Sequence, residues 1–463
     1  MKKIFWIFIF FIIFLLITAY TILFTNFGNK IVSNYLEKKV NYEQSELKFE
    51  IKEFKLTTNY ISFDAWVNDN SEIKISGEFS FLKKEFDLLY LINIYDLSIL
   101  KNLISYDIKG SLCTNGTFIG NKQESFIQGV SNIAKSQTKY YFSLKNFYPK
   151  NFNIQVKNAK IEELLLLLGK PNYAKGDLNL TADVKDTKKS ALEGMVISTI
   201  TNGKVNNDIV NDELKLGLAN IINFKANSEA FLSANNIQIK SNINSSVGEI
   251  IIDKMIVDFL TNKINLDYKI DIKNMNIFSG LIGNELVGEF TTNGKVEVLN
   301  KNTQIEGVSN IFESDAKYKV NLNNLELYST SFSIENGRIE KLLKMLSEPI
   351  YATGNVNIKS DIRNTNINKL DGTINSNFSD ISIVKEVANA VFNQNIQDEI
   401  FSNLEINTKL IPNQALSKIM LQTNIGNLTT QNSIYDFKLQ TFTSDYLLNI
   451  SSLERIKELK KVT

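Results

Sequence analysis

The chain has 463 residues, more than one ordinary domain core, and its 51 Lys and Arg against 50 Asp and Glu give a formal charge of +1, no footprint for nucleic acid. Without histidine, and with Cys113 as its single cysteine, it lacks the residues for Ser-His-Asp or Cys-His catalysis, imidazole-bound zinc, a thiolate cage or an internal disulfide. No GxxxxGK[ST], GxGxxG or acidic calcium-loop pattern occurs, so no enzyme activity, cofactor or metal site is expected.

The chain opens MKKIFWIFIFFIIFLLITAYTILFTNFGNK, with no charge from Ile4 to Asn29. As a helix, Ile4–Phe24 is about 30 Å long, enough to span a bilayer core. A cleaved signal would have a shorter apolar run ending in small residues, whereas TAYTILF carries bulky groups there. The reading is a cytoplasmic stub at 1–3 and a retained single-pass anchor at 4–25, with Ile4, Trp6, Phe11, Leu16 and Phe24 in the membrane. Lys2 and Lys3 keep the amino terminus cytoplasmic, which puts the bulk of the chain on the far side.

The body repeats itself. NAKIEELLLLLGKPNYAKG at 158–176 returns as NGRIEKLLKMLSEPIYATG at 336–354, with ten of nineteen positions identical and an offset of 178. At the same offset GVSNI at 129–133 falls on GVSNI at 307–311. The registration is close from about 91 to about 200, loosens, and returns where LLYLINI (88–94), LDYKIDI (266–272) and SDYLLNI (444–450) align. The domains expected are a partial β repeat at 26–90, full copies at 91–268 and 269–446, and the start of a third copy at 447–463. A long in-register repeat marks a stacked or extended architecture. The rival reading is a duplication that left two separate globular domains.

Most of each copy alternates. GDLNLTADV puts Leu178, Leu180, Ala182 and Val184 on one face, GNVNIKSDI does the same with Val356, Ile358 and Ile362, and KINLDYKIDI with Tyr268 and Ile270. Period two with one apolar face predicts antiparallel sheet. Asn-Gly pairs at 115–116, 202–203, 293–294 and 336–337 are read as turns. Ile161, Leu164, Leu165 and Leu168, and again Ile339, Leu342, Leu343 and Leu346, have helical spacing and stop before Pro171 and Pro349. Each copy should therefore carry a short amphipathic helix on the sheet. A second helix is read at SIVKEVANAVF, with a less regular counterpart after TNGKVNNDIV. The tail SSLERIKELKKVT is read as a basic helix, with Ile450, Leu453, Ile456 and Leu459 on its apolar side.

The single anchor, the repetitive β-rich body and the order of motifs in YAKGDLNLTADVKDTKKSALEGMVISTITNGKVNNDIV, repeated in YATGNVNIKSDIRNTNINKLDGTINSNFSDISIV, give a resemblance. The chain resembles the AsmA-like family of Gram-negative bacteria (the AsmA/TamB type). The resemblance implies a single-pass inner-membrane protein with its bulk in the periplasm. It also implies a long, curved, open antiparallel sheet with an apolar groove, conveying phospholipid toward the outer membrane in support of outer-membrane biogenesis. The chain is much shorter than the longest members. The partners implied are phospholipid, the inner membrane and an outer-membrane or periplasmic protein. Leu178, Leu180, Val356, Ile358, Tyr268 and Ile270 are the groove-lining candidates. Periodicity equally allows those faces to pack against each other as a filled β-sandwich. The corresponding function is an anchored structural or assembly factor for outer-membrane proteins, with no lipid conduit, acting through exposed sheet edges.

Overall fold

The computed structural model describes residues 18, 20–21, 23–44, 47–101, 107–214, 217–218, 220–396 and 398–451. Ile4, Trp6, Phe11 and Leu16 of the expected anchor lie outside these; Phe24 lies within them, edge-on to Phe81. Among the described residues no helix is long and apolar enough to cross a membrane.

Among the described residues the chain is mainly β, with twenty-five strands in antiparallel sheet that is not closed. It divides into two compact units, one of 1–209 with 223–235 and one of 210–222 with 236–463. These limits do not coincide with the ends of the sequence copies.

The first unit begins with helix α1, Asn26–Glu43. Its first strands are β1 Phe49–Leu56, β2 Tyr60–Val67, β3 Ser71–Ser80 and β4 Glu85–Ile94. There follow β5 Leu112–Asn121, β6 Glu124–Ser131, β7 Gln137–Lys145, β8 Tyr148–Lys160 and helix α2 Ile161–Leu167. β9 Ala174–Asp186, β10 Glu193–Val205 and β11 Asn223–Ser233 complete it, and helix α3, Asn207–Leu214, lies in the link between β10 and β11. Each strand from β1 to β11 pairs with the next.

The second unit holds β12 Asn236–Ser245, β13 Gly248–Asp258, β14 Lys263–Ile272 and helix α4 Ser279–Ile282. It continues with β15 Phe290–Leu299, β16 Asn302–Ser309, β17 Asp315–Asn323, β18 Glu326–Arg338 and helix α5 Ile339–Met345. After β19 Ala352–Asn364 and β20 Asp371–Ile383 come helix α6 Lys385–Phe392, β21 Phe401–Ile411, β22 Gln414–Thr423 and β23 Gly426–Asp436. β24 Thr441–Thr443 and β25 Leu447–Ile450 both pair with β23.

The repeat persists where the residues diverge. Helices α2 and α3 return 178 residues later as α5 and α6, and the bounds of β5–β13 return as those of β15–β23. The element order is thus conserved through the stretch where sequence registration loosens. The less regular helix after TNGKVNNDIV is α3.

Three expectations are corrected. The segment 26–90 opens with a helix: Thr25 caps it, accepting from the Gly28 N–H at 3.2 Å. Residues 447–450 of the expected tail helix are strand, and 452–463 lie outside the described residues. The Asn-Gly pairs are not hairpin turns. Asn115-Gly116 and Asn293-Gly294 lie inside β5 and β15, and the pairs at 202–203 and 336–337 sit at bulges in β10 and β18. At those bulges Asn202 and Asn336 take φ of 53° and 58°, the left-handed geometry that also suits a turn. The β2–β3, β7–β8 and β17–β18 hairpins turn instead at Asn68-Asp69, Asn146-Phe147 and Asn324-Leu325, each with two successive positive φ values.

Candidate functional site

Directly opposed residues in an antiparallel ladder share a face. In the second unit one row runs Tyr268, Gly294, Gly307, Tyr318, Phe332, Ser360, Ile374 across β14–β20. The neighbouring row on that face is Leu266, Val296, Ile305, Val320, Thr330, Ile362. The opposite face carries Asp267, Lys295, Glu306, Lys319, Ser331 and Asp361 in one row. One side of this sheet is therefore oily and the other alternates in charge. In the first unit the matching apolar row is Tyr90, Gly116, Gly129, Tyr140, Ile154, Ala182, Val196.

The six candidate residues fall in both units. Tyr268, Ile270, Val356 and Ile358 share the apolar face of the second unit. Ile270 opposes Ile250 and Thr292, and Ile358 opposes Ile334 and Ser376. Leu178 and Leu180 lie on the apolar face of the first, opposite Ile200 and Ser198. Five of the six are half-buried. Val356 is different. It is 0 % exposed and packs with Ile339 and Leu343 of α5, Ala352 and Ile381, with Phe312, Phe378 and Leu404 around them. The amphipathic helix thus lies on the apolar face and covers one end of the β19 strand. Val356 is sealed inside that packed core, and Ile358 packs against its edge while staying half-buried.

Tyr268 and Tyr318 form a clasp over the face. Their hydroxyls are 2.6 Å apart, and the Tyr318 hydroxyl is also 2.6 Å from Thr292 Oγ1, which donates to the Val308 carbonyl at 2.8 Å. The rings reach over Gly294 and Gly307: a Cβ at either would lie 2.7 Å from a tyrosine hydroxyl and closer still to a facing carbonyl. Only glycine leaves room for such an approach. The first unit repeats the device with Tyr90, Tyr140, Thr114, Gly116 and Gly129, its hydroxyls again 2.6 Å apart. Burial, and then the bond to Tyr140, raises the Tyr90 hydroxyl far above the usual phenol range; burial and Tyr318 do the same for Tyr268. The Tyr90 and Tyr268 hydroxyls are therefore uncharged near neutrality.

On the charged face a depression of about 710 Å³ runs along the backbone of the Gly294, Gly307 and Tyr318 row, walled by Lys295, Glu306, Lys317, Lys319, Lys359 and Asp361. Ser360 is 2 % exposed and its hydroxyl has no hydrogen-bond partner; Ala182 holds the equivalent place in the first unit. The clasp and this depression are not evident from alternation alone. The usable signal was the pairing of LLYLINI and LDYKIDI with downstream TNG and GVS motifs at one offset.

Comparison of the chain with family models, with curated proteins and with solved structures gave no match.

Proposed function

We propose that the apolar sheet faces hold the acyl chains of phospholipid. On this reading the chain is an inner-membrane-anchored periplasmic protein that conveys lipid toward the outer membrane. The observation that carries the proposal is the partial exposure of the apolar rows. Leu178, Leu180, Tyr268, Ile270 and Ile358 are flanked by apolar neighbours yet not taken fully out of water. A filled sandwich would bury such side chains under a second layer, as α5 buries Val356. An acyl chain laid along them would remove apolar surface from water at roughly 25 cal/mol per Å². Its head group could remain wet, and no catalytic group is required. The neutral Tyr90 and Tyr268 hydroxyls are compatible with this task because they add no charge to the face.

The test is a photo-crosslinking side chain at Leu180 or Ile358 in the full-length chain in cells, with Lys319 on the charged face as control. Phospholipid adducts at the two apolar sites and not at Lys319 would support the proposal. Absence of lipid at all of them would favour the assembly-factor reading.

A further inference from the structure

The first strand of the first unit and the last described strand of the second are finished differently. At β1, helix α1 supplies side chains to the outer backbone groups. Asn41 accepts from the Phe49 N–H at 2.7 Å and donates to the Phe49 carbonyl at 2.8 Å. Glu37 accepts from the Ile51 N–H at 3.0 Å, and Asn29 donates to the Leu56 carbonyl at 3.1 Å. That edge is closed to another strand. At β25 no strand pairs on the outer side among the described residues; its partner is β23.

The repeat shows what this second edge is shaped to receive. β24 and β25 occupy the place of β4 and β14, each 178 residues after the last. Those two counterparts run ten residues unbroken, and each has an outer neighbour, β5 or β15. The third breaks between Thr443 and Leu447. Tyr446 is the counterpart of Tyr90 and Tyr268, but among the described residues no glycine strand lies beside it, and it is 75 % exposed. Phe442 and Leu448, whose counterparts Ile264 and Ile270 are half-buried, are 62 % and 54 % exposed. An unpaired edge with exposed apolar groups is a template for strand addition.

We propose that β24–β25 is a docking edge for a β-strand of another protein, and that this strand carries glycine opposite Tyr446. The internal pairs define its register: Tyr90 faces Gly116 and Tyr268 faces Gly294. A second copy of this chain has no glycine-bearing strand free to face Tyr446. Its β5 and β15 are paired on both sides, and its β1 edge is covered by α1. The proposal is independent of the lipid reading.

The probe is a labelled peptide with the sequence of Phe290–Leu299, FTTNGKVEVL. In the register of β14 with β15 its Gly294 would face Tyr446, and its ends would face Ile450 and Thr441. Anisotropy with the detergent-solubilised full chain should show saturable binding. A Gly294→Val peptide should bind about tenfold or more weakly, because the added carbons meet the tyrosine. Against the Tyr446→Ala chain that discrimination should disappear, which separates a specific clasp from general stickiness. If the full chain does not bind the peptide, because two copies pair through β25 or because residues 452–463 cover it, the proposal is overturned. Equal binding of both peptides to the unaltered chain overturns it as well.

Discussion

The Tyr268 and Tyr318 hydroxyls meet at 2.6 Å across two strands whose facing residues are Gly294 and Gly307. The relation links four consecutive strands through side chains as well as through the ladder. Tyr318→Phe removes the bonds to Tyr268 and Thr292 but keeps the ring, so it should destabilise the second unit by about 1–2 kcal/mol. Gly307→Val should cost more, since its Cβ would lie 2.6 Å from the Asn293 carbonyl oxygen. Urea unfolding followed by tyrosine fluorescence checks both. Equal stability of Tyr318→Phe and the unaltered chain would show that the clasp contributes nothing.

Much of the architecture was legible because its cause is local. Alternation in GDLNLTADV predicted β9 and its apolar face, and helical spacing in IEELL predicted α2. The Asn-Gly pairs misled because the dipeptide reports a left-handed residue followed by a missing side chain; the bulges in β10 and β18 use the first, and a ring laid over the backbone of β5 or β15 uses the second. The burial of Val356 was not legible either. Its place in the alternation matches that of Ile358, and only the docking of α5 distinguishes them. The clasp depends on contacts fifty residues apart, beyond any local period.

The ion pair that ties each amphipathic helix to the link before β7 or β17 is reversed between copies. Lys135 bonds Glu163 in the first, whereas Glu313 bonds Lys341 in the second, with Nζ–Oε1 2.5 Å there. Lys135→Glu or Glu163→Lys alone puts like charges together. The double exchange reproduces the arrangement of the second copy. Each single change should lower stability by about 0.2–1 kcal/mol, and the double should recover most of it. A double-mutant cycle at low salt measures this, and additive losses would show that the pair is not coupled.

Asp445 gives the C-terminal edge a pH dependence. Its carboxylate accepts from the Asn432 and Gln431 N–H groups at 3.0 and 2.9 Å, and those bonds hold its pKa below the ordinary 3.8. A depressed folded-state pKa contributes stability above the unfolded value, lost as pH falls through the folded one. The stability difference between the unaltered chain and Asp445→Asn should therefore be present at about pH 7 and shrink toward about pH 2. Denaturant midpoints at the two pH values check it; a difference that is the same at both would exclude the carboxylate as its cause.

Arginine substitution along one strand separates wall from core. Val356 and Ile358 are two residues apart on β19 and share a face, but Val356 is sealed under α5 and Ile358 is half-buried. A cation at Val356 has no water and no partner there, so Val356→Arg should unfold the second unit, a cost of about 3–5 kcal/mol or more. At Ile358 the longer side chain can lay its stem on the face and put its guanidinium in water, so most of the stability should survive. Leu180→Arg should behave as Ile358→Arg does, since Leu180 holds the equivalent place in the first unit. The charge would nonetheless interrupt an apolar path, so both surviving variants should lose co-purified phospholipid, measured by mass spectrometry of the detergent-purified chain. If Leu180→Arg and Ile358→Arg collapse as Val356→Arg does, these faces are packed cores and the lipid proposal fails. If they stay folded and keep their lipid, acyl chains do not lie along these rows.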